Sequence, residues 1–306
     1  MKVWLVGASG MLGGRLSARF GATTHQVVAS GRDVDVTRAD DVMAFARSGF
    51  DCIVNCSGYT DVDAAERESE RAFAVNASGP DNLAKAAESL DATLVHVSSD
   101  YVFDGRKQTP YVETDPPSGL GVYGKSKLIG ERFLLDRFEA GALRRLYLVR
   151  TSWMFAVTGE NFVRTMVARM LEPAPAPLEV VNDQFGRPTY ADDLADTVLS
   201  LLGALGGGRP APPGVYHFAN MGQTSWFEYA LAIRAALEQA GVSMAGVRVE
   251  PVSTSAFSRS APRPAYSVLS TAKLEATLGT APRPFEEPLA SCVSTLAKVH
   301  AEVHRA

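Results

Sequence analysis

The stretch Lys2-Val3-Trp4-Leu5-Val6-Gly7-Ala8-Ser9-Gly10-Met11-Leu12-Gly13 joins a short apolar strand pattern to a turn with three glycines, and a helical pattern follows it. In a strand–turn–helix of this kind, Gly7 allows a tight turn and Gly10 lets backbone N–H groups approach a pyrophosphate. Gly13 then lets the helix pack closely on the strand. The spacing is G-x-x-G-x-x-G rather than G-x-G-x-x-G. The context therefore predicts that these glycines, with Met11 and Leu12 between them, bind a dinucleotide.

Strand and helix patterns alternate through the first half of the chain. After the first strand, apolar strand patterns recur at 26–30, 51–56, 92–97 and 144–150, with helical patterns between them. This alternation is typical of a parallel sheet covered by helices on both faces. We predict an α/β protein with a Rossmann-type doubly wound parallel sheet and a smaller C-terminal α/β substrate-binding region. Residues 1–150 would form the dinucleotide-binding domain, completed by parts of 187–220, and residues 151–306 would mainly bind substrate.

The end of the second strand indicates which dinucleotide is bound. In such folds this strand end meets the adenosine ribose, where an acidic side chain would accept a hydrogen bond from the 2′-hydroxyl of NAD. This sequence has Arg32 there, followed by Asp33. A guanidinium binds a 2′-phosphate, so the sequence favours NADPH and leaves the use of NADH open. We expect Arg32, Asp35 and Val36 to line the adenosine part of the site.

Two polar pairs predict the chemistry of the site. Ser98 and Ser99 end an apolar strand, where open α/β sheets bind their ligands. Tyr123 and Lys127 are four residues apart in a helical pattern and so share one helix face. A nearby ammonium favours the phenolate, so we expect Lys127 to lower the pKa of Tyr123 and make it an acid or base at working pH.

Two local patterns predict helix boundaries. Thr37 and Asp40 resemble a capping box before a helix that would end near Ser48. Residues 61–90 are rich in alanine and glutamate and predict a helix that carries Asn76. The pair Gly79-Pro80 should break that helix.

Composition limits the class of protein. The chain has 306 residues, 46% of them apolar, and a net charge of −4 without a basic block, which argues against a nucleic-acid partner. Its three cysteines have no CxxC spacing and read as buried free thiols of a reducing compartment. No apolar run is long enough to span a membrane, and the amino terminus lacks a signal-peptide layout. We expect a cytoplasmic protein with no membrane partner.

Longer motifs carry a resemblance to a known family. They are VNCSGYTDVD at 54–63, SDYVFDG at 99–105, RTSW at 150–153, DQFGRPT at 183–189 and APRP at 261–264. With the glycine turn and Tyr123/Lys127, these motifs resemble the extended short-chain dehydrogenase/reductase family and, within it, the dTDP-4-dehydrorhamnose reductases. They occur in the family's order from one end of the chain to the other.

The resemblance implies a role for each candidate residue. Tyr123 would protonate the sugar oxygen as hydride arrives from NADPH, Lys127 would hold the nicotinamide ribose, and Ser99 would bind the substrate carbonyl. The family usually has threonine at the position of Ser99. The dTDP-sugar substrate would contact Asp100, Trp153, Asn161 and Arg263 as well as Ser99 and Tyr123. Gly58, Tyr59 and Thr60 would line the dinucleotide.

The resemblance alone does not determine whether a metal is bound or which reaction is catalysed. Some similar proteins bind Mg²⁺ through glutamates, but this chain has Arg15 at one such position and Asp192 at another, so we predict no metal. A reductase or epimerase of another deoxysugar pathway is one alternative. A 4,6-dehydratase is disfavoured, because Tyr101 follows Asp100 where dehydratases have a second carboxylate. A non-catalytic relative, similar to the regulatory subunit of methionine adenosyltransferase, is the other alternative, and the chain would be a monomer or a homodimer.

Overall fold

A computed structural model describes residues 1–173, 176–204 and 208–303. The strands are β1 (Lys2–Val6), β2 (Gln26–Ser30), β3 (Cys52–Asn55), β4 (Thr93–Ser99), β5 (Leu146–Thr151), β6 (Met154–Phe155), β7 (Leu178–Val181), β8 (Phe185–Gly186), β9 (Thr189–Tyr190), β10 (Gly214–His217), β11 (Thr224–Ser225) and β12 (Val249–Val252). The α-helices are α1 (Met11–Gly21), α2 (Ala39–Ala46), α3 (Val62–Ala65), α4 (Ser69–Phe73), α5 (Gly79–Leu90), α6 (Gly121–Glu139), α7 (Phe162–Met170), α8 (Ala191–Leu201), α9 (Trp226–Gln239), α10 (Ala272–Leu278) and α11 (Glu286–Val303).

Six strands form one parallel sheet in the order β2-β1-β3-β4-β5-β10. The chain runs outward in one direction from β1 to β2 and in the other direction from β3 onward, so the order reverses between β1 and β3. In open α/β sheets, ligands bind outside the carboxyl ends of the strands at such a reversal. The predicted doubly wound α/β fold is confirmed.

Alternate residues of the buried strands enter two different cores. Val3 and Leu5 of β1 face a core that contains side chains of α1 and α8, whereas Trp4 and Val6 face a core with side chains of α2, α5 and α6. This division follows from the two-residue period of a strand. Both faces of the sheet are therefore covered, which explains why its strands are apolar without alternation.

The later part of the chain forms a third core beside the sheet. Side chains of α7, α9 and α11 pack together there, next to the two-stranded sheet of β7 and β12. The chain nevertheless returns to the main sheet through β10, which pairs with β5. The division of the chain at residue 150 stays a prediction. In the described ranges, the helices are all too short or too polar to cross a lipid bilayer.

Two local predictions are wrong. Gly79-Pro80 does not break the helix: α4 continues through a π-helix at Ala74–Ser78 into α5, where Pro80 occupies the first turn. Pro80 has no N–H to donate, and the helix is irregular just before it, where the Gly79 N–H donates to the Ala74 carbonyl in a π-helical turn. The expected capping box at Thr37 does not form either. The Thr37 hydroxyl instead donates to Asp35 Oδ1 at 2.7 Å, and α2 begins two residues later without a side-chain cap.

Candidate active site

A cleft of about 590 Å³ opens at the carboxyl ends of β1, β3, β4 and β5. It lies at the reversal of strand order. Its lining residues come from seven separate parts of the chain: Gly10, Met11, Leu12, Cys56, Ser57, Gly58, Tyr59, Thr60, Val62, Val97, Ser98, Ser99, Asp100, Tyr101, Tyr123, Lys127, Thr151, Ser152, Trp153, Met154, Gly159, Glu160 and Trp226.

The glycine turn forms one wall of the cleft. Gly7 has a φ of 77°, a left-handed conformation that favours glycine. A side chain at Gly13 would overlap the carbonyl oxygen of Gly7, so only glycine lets α1 pack this closely on the turn. Gly10 is the N-cap of α1 and gives the first turn no side-chain acceptor, which leaves its N–H groups available to a ligand. This arrangement fits the diphosphate of a dinucleotide.

The segment after β3 is held against the cleft by Asn76. Its side chain accepts from the Tyr59 N–H at 2.9 Å and donates to the Tyr59 carbonyl and the Ser126 hydroxyl, both at 3.0 Å. Asn76 is buried and lies in the π-helix at Ala74–Ser78. It thus couples the segment with Gly58 and Thr60 to the helix that carries Tyr123. The sequence placed Asn76 on a helix but did not reveal this role.

Ser99, Tyr123 and Lys127 all line the cleft. Ser99 ends β4, and the other two residues lie on the first turns of α6. The Ser99 hydroxyl is close enough to the Tyr123 phenol to influence its pKa. The Lys127 ammonium donates to the Val97 carbonyl at 2.9 Å. Three polar groups that are distant in sequence therefore meet where the fold places a ligand.

The expected lowering of the Tyr123 pKa is wrong. Burial raises the pKa of the phenol to about 12, the nearby Ser99 hydroxyl opposes this rise, and the charge of Asp100 adds to it. Burial also lowers the pKa of Lys127 to about 8, because a buried ammonium loses its hydration. The position of Lys127 on the same helix face therefore affects the pKa of Tyr123 less than the removal of the phenol from water does.

Asp100 is a buried carboxyl group next to these residues. Its Oδ1 accepts from the Ser99 hydroxyl at 3.0 Å, while its buried Oδ2 has no hydrogen-bond partner in the described chain. Burial raises the pKa of Asp100 to about 6, and the nearby hydroxyls of Ser267 and Ser99 act in the opposite direction. Because Asp100 lines the cleft, its position suits an acceptor for a ligand hydroxyl.

Two stacked tryptophans form another wall of the cleft. Trp153 follows β5 and has a φ of 45°, a conformation that costs a bulky residue about 1–3 kcal/mol. Its ring stacks on that of Trp226, with centroids 3.5 Å apart and an interplanar angle of 9°. Trp226 begins α9, and no motif in the sequence singled it out.

The predicted adenosine residues lie beyond the cleft lining. Arg32 is exposed and makes no hydrogen bond or ion pair with the part of the chain that the structure describes. Asp35 accepts from the Thr37 N–H at 2.9 Å. Val36 is buried, and its carbonyl accepts from the Asn82 amide at 3.0 Å. The free guanidinium suits an anionic ligand group, whereas Asp35 and Val36 make contacts within the protein.

Two predicted substrate residues are also outside the cleft lining. The Asn161 side chain caps α7 by accepting from the Arg164 N–H at 3.1 Å and donates to the Ala156 carbonyl at 2.9 Å. Arg263 pairs with Asp63 at 2.7 Å. It also interacts with the hydroxyl of Tyr101, a cleft residue. Both side chains thus stabilise segments next to the cleft.

The positions considered for a metal are joined in an ion pair. Arg15 Nε lies 3.6 Å from Asp192 Oδ2, and Arg19 lies 3.3 Å from the other oxygen of Asp192. The carboxylate is therefore already engaged by two guanidinium groups. Within the described residues, no cluster of three or more histidine, cysteine, aspartate or glutamate side chains has the geometry of a metal site.

Tyr101, Thr151, Ser152 and Trp226 are cleft residues that were not predicted. Thr151 and Ser152 belong to the motif at 150–153, and they could have been found because they follow an apolar strand pattern directly, as Ser98 and Ser99 do. Tyr101 follows Asp100 directly, and its ring lies edge-on to Tyr123 with centroids 5.3 Å apart. Trp226 had no sequence signal, since its position depends on how α9 packs.

Comparison with known proteins gives a consistent result. The family model described as RmlD substrate binding domain matches residues 1–298. A dTDP-4-dehydrorhamnose reductase from Mycolicibacterium smegmatis is 40% identical over 299 residues, which cover 96% of this chain and 86% of that protein. A crystal structure of a dTDP-4-dehydrorhamnose reductase from Clostridium acetobutylicum is similar, with a TM-score of 0.86, 34% identity and coverage of 97% of this chain and 100% of that one. The corresponding protein from Bacillus anthracis, solved in complex with NADP, has a TM-score of 0.84, 33% identity and coverage of 94% and 96%.

Proposed function

The chain belongs to the RmlD substrate binding domain family, and from this membership we propose that it is an NADPH-dependent reductase of dTDP-4-dehydrorhamnose. The reaction converts the 4-keto group of a dTDP-linked 6-deoxy sugar into a hydroxyl and yields dTDP-L-rhamnose. The observation that carries the proposal is the meeting of Ser99, Tyr123 and Lys127 in one cleft at the reversal of strand order.

NADPH, when bound along the glycine turn, supplies the hydride. The chain has to bind the keto oxygen and deliver a proton to it. For this, the single O–H of Ser99 turns from Asp100 Oδ1 to the keto oxygen, where its hydrogen bond stabilises the negative charge that develops. The neighbouring Asp100 carboxylate, which lines the cleft, then accepts a hydrogen bond from a hydroxyl of the sugar.

Tyr123 delivers the proton. With its pKa raised to about 12, the phenol stays protonated at neutral pH, which a proton donor for reduction requires. The alkoxide that forms on hydride arrival is a stronger base than the phenolate, so the proton moves from Tyr123 to the sugar oxygen. The raised pKa therefore suits reduction better than the reverse reaction.

Lys127 and Arg32 bind the cofactor in this proposal. The buried ammonium of Lys127 donates to hydroxyls of the nicotinamide ribose, and the exposed guanidinium of Arg32 pairs with the 2′-phosphate. Asn76 keeps the segment of Gly58, Tyr59 and Thr60 in place for the same ligand. In this arrangement, residues at the ends of the sheet strands hold the cofactor. Trp153 and the third core form the side of the cleft that binds the sugar. Asn161 and Arg263 stabilise the segments next to that side.

The test is the oxidation of NADPH in the presence of dTDP-4-dehydrorhamnose, followed at the absorbance of the reduced nicotinamide. We expect Tyr123→Phe to lower turnover by roughly two to four orders of magnitude while NADPH binding persists, because only the proton donor is lost. Tyr266→Phe is the matched control, since its hydroxyl bonds Gln223 away from the cleft lining. Unchanged turnover in Tyr123→Phe would refute the proposed role.

The same assay separates the alternatives. A non-catalytic relative would bind NADPH without oxidising it, and a reductase of another pathway would prefer a different dTDP-sugar.

We also propose that the protein works in the cytoplasm as a monomer or homodimer without a nucleic-acid partner. The free thiols of Cys52, Cys56 and Cys292 and the net charge of −4 support the location and the lack of nucleic acid. Light scattering of the purified protein measures the oligomeric state.

A further inference from the structure

We infer that Trp226 positions Trp153 and thereby determines how tightly the cleft binds the sugar nucleotide, an inference that rests on the proposed function. Trp226 does so by stacking on the Trp153 ring and holding it as a fixed aromatic wall. The ligand chemistry that this wall fits is the apolar face of a deoxysugar ring. Trp226 thus acts through Trp153 and is a positioning residue, not a catalytic one.

The backbone of Trp153 needs an external restraint. Among the described residues, Asp91 and Trp153 are the non-glycine residues with a positive φ. Asp91 is the C-cap of α5, where a left-handed residue commonly ends a helix. Trp153 caps no helix, and a bulky side chain disfavours this conformation. Its conformation therefore depends on tertiary contacts.

Two contacts supply this restraint, and they belong to one unit. The backbone of Gly186 packs so closely on the Trp153 indole that a β-carbon there would overlap ring atoms Cε2, Cζ2 and Nε1. Trp226 stacks on the same indole. Gly186 pairs with Thr224 in the β8–β11 ladder, two residues before Trp226. The two restraining residues are thus tied to each other by strand pairing.

Trp226 is itself held by the start of α9. Ser225 and Glu228 form a reciprocal capping box, with the Ser225 N–H donating to Glu228 at 2.8 Å and the Glu228 N–H donating to the Ser225 hydroxyl at 3.1 Å. Phe162 contacts the Trp226 ring, with centroids 4.7 Å apart. The position of Trp226 is therefore set by the fold before any ligand arrives.

The pair lies on the sugar side of the cleft. Trp153 comes two residues after Thr151, which is the register partner of Ser99. The indole wall therefore stands near the group that we propose binds the keto oxygen. An uncharged aromatic surface binds the C–H groups of a sugar ring by apolar contact but gives no acceptor for a hydroxyl.

The test compares three full-length variants with the wild-type protein in the NADPH assay. We expect Trp226→Ala to raise the KM for dTDP-4-dehydrorhamnose about tenfold, in line with the loss of an aromatic pair, and to leave the Kd for NADPH unchanged. Trp226→Phe keeps an aromatic face and should restore most of the affinity. Phe227→Ala is the matched control, because it removes an aromatic side chain from the same turn of α9 without touching the cleft.

Gly186→Ala separates positioning from the mere loss of aromatic surface. Its added methyl would displace the Trp153 ring while both tryptophans remain, so we expect a similar rise in KM and a changed near-UV circular dichroism signal. An unchanged KM in either Trp226→Ala or Gly186→Ala would overturn the inference, as would an equal loss of NADPH affinity. If the wild-type protein does not turn over the substrate, the proposed function fails. Calorimetric titration with dTDP-rhamnose, which carries the sugar ring, then still tests whether Trp226→Ala weakens binding of the sugar nucleotide.

Discussion

Lys127 is the buried cation of the cleft, and its protonation depends on pH near the working range. Burial lowers its pKa to about 8, whereas the nearby Glu131 and Cys56 act in the opposite direction. The side chain is therefore charged below this pH and loses its charge above it. The proposed contact with the nicotinamide ribose uses the N–H groups of the charged form, so cofactor binding should weaken as the proton is lost.

We therefore expect kcat/KM for NADPH to be level near neutral pH, where Asp100 is ionised, and to fall as pH rises through about 8. The measurement is the pH profile of kcat/KM at saturating sugar nucleotide, with protein integrity checked by circular dichroism at each pH. A plateau that extends to the ordinary pKa of lysine would show either that the pKa of Lys127 is not lowered or that its charge is not needed for cofactor binding.

Arg32 gives a second prediction at this scale. Because its guanidinium is exposed and has no partner in the described chain, Arg32→Asp should change cofactor choice and not stability. We expect the ratio of kcat/KM for NADPH to that for NADH to fall by at least about tenfold, since a carboxylate repels the 2′-phosphate and accepts from a 2′-hydroxyl. Arg132→Asp makes the same change of charge at an exposed position on α6 and is the control. An unaltered ratio would mean that Arg32 does not contact the 2′-phosphate.

At the scale of elements, α6 is fastened to β5 by a fully buried ion pair. Arg150 donates three hydrogen bonds to the Glu131 carboxylate, at 3.1, 3.1 and 2.7 Å. A fourth contact joins Arg150 to His217 Nε2 at 3.3 Å. Burial and the Arg150 charge lower the pKa of His217 to about 3, so its neutral ring accepts this hydrogen bond. This ion pair thereby fixes the position of α6, which carries Tyr123, relative to the strands of the sheet.

Breaking this pair should be costly. Glu131→Gln leaves the Arg150 charge buried without its counter-ion, so we expect the free energy of unfolding to fall by about 3–5 kcal/mol. Urea denaturation measures the change. The control is Glu238→Gln, which breaks an exposed pair with Arg234 on α9 and should cost no more than about 0.5 kcal/mol. Equal effects of the two substitutions would contradict this account of α6.

At the scale of the whole molecule, the sheet is completed from the second half of the chain. β10 pairs with β5, and α8 packs against α1 on one face of the sheet. The core of that face includes Leu194, Val198 and Tyr216 in addition to residues of the first half. The cofactor region and the later region therefore share a core.

We accordingly expect a fragment of residues 1–150 not to fold by itself. Without α8 and β10, one face of the sheet would expose its apolar side chains, and the loss exceeds what a marginally stable domain tolerates. The fragment should lack a cooperative thermal transition and should not bind NADPH. The full chain should unfold cooperatively and should bind NADPH. A cooperative transition in the fragment would show that the first half is independently stable.

Local pattern determined a large share of this protein. The apolar run, glycine turn and helix at the amino terminus predicted β1 and α1 and the α/β fold, because strand and helix periods and glycine conformations are properties of short segments. The same holds for Ser99 at the end of β4 and for Tyr123 and Lys127 on one face of α6. All three line the cleft, although their proposed roles await the experiments above.

Other features were decided by tertiary structure alone. The continuous helix through Gly79-Pro80, the place of Asn76, the stacking of Trp226 on Trp153 and the pairing of Arg263 with Asp63 all arise from contacts between segments distant in the chain. The pKa of Tyr123 is the clearest case. Its four-residue distance from Lys127 predicted a lowered value, but burial by residues from several elements raises it to about 12. Desolvation depends on the whole fold around a group, and no local spacing contains that information.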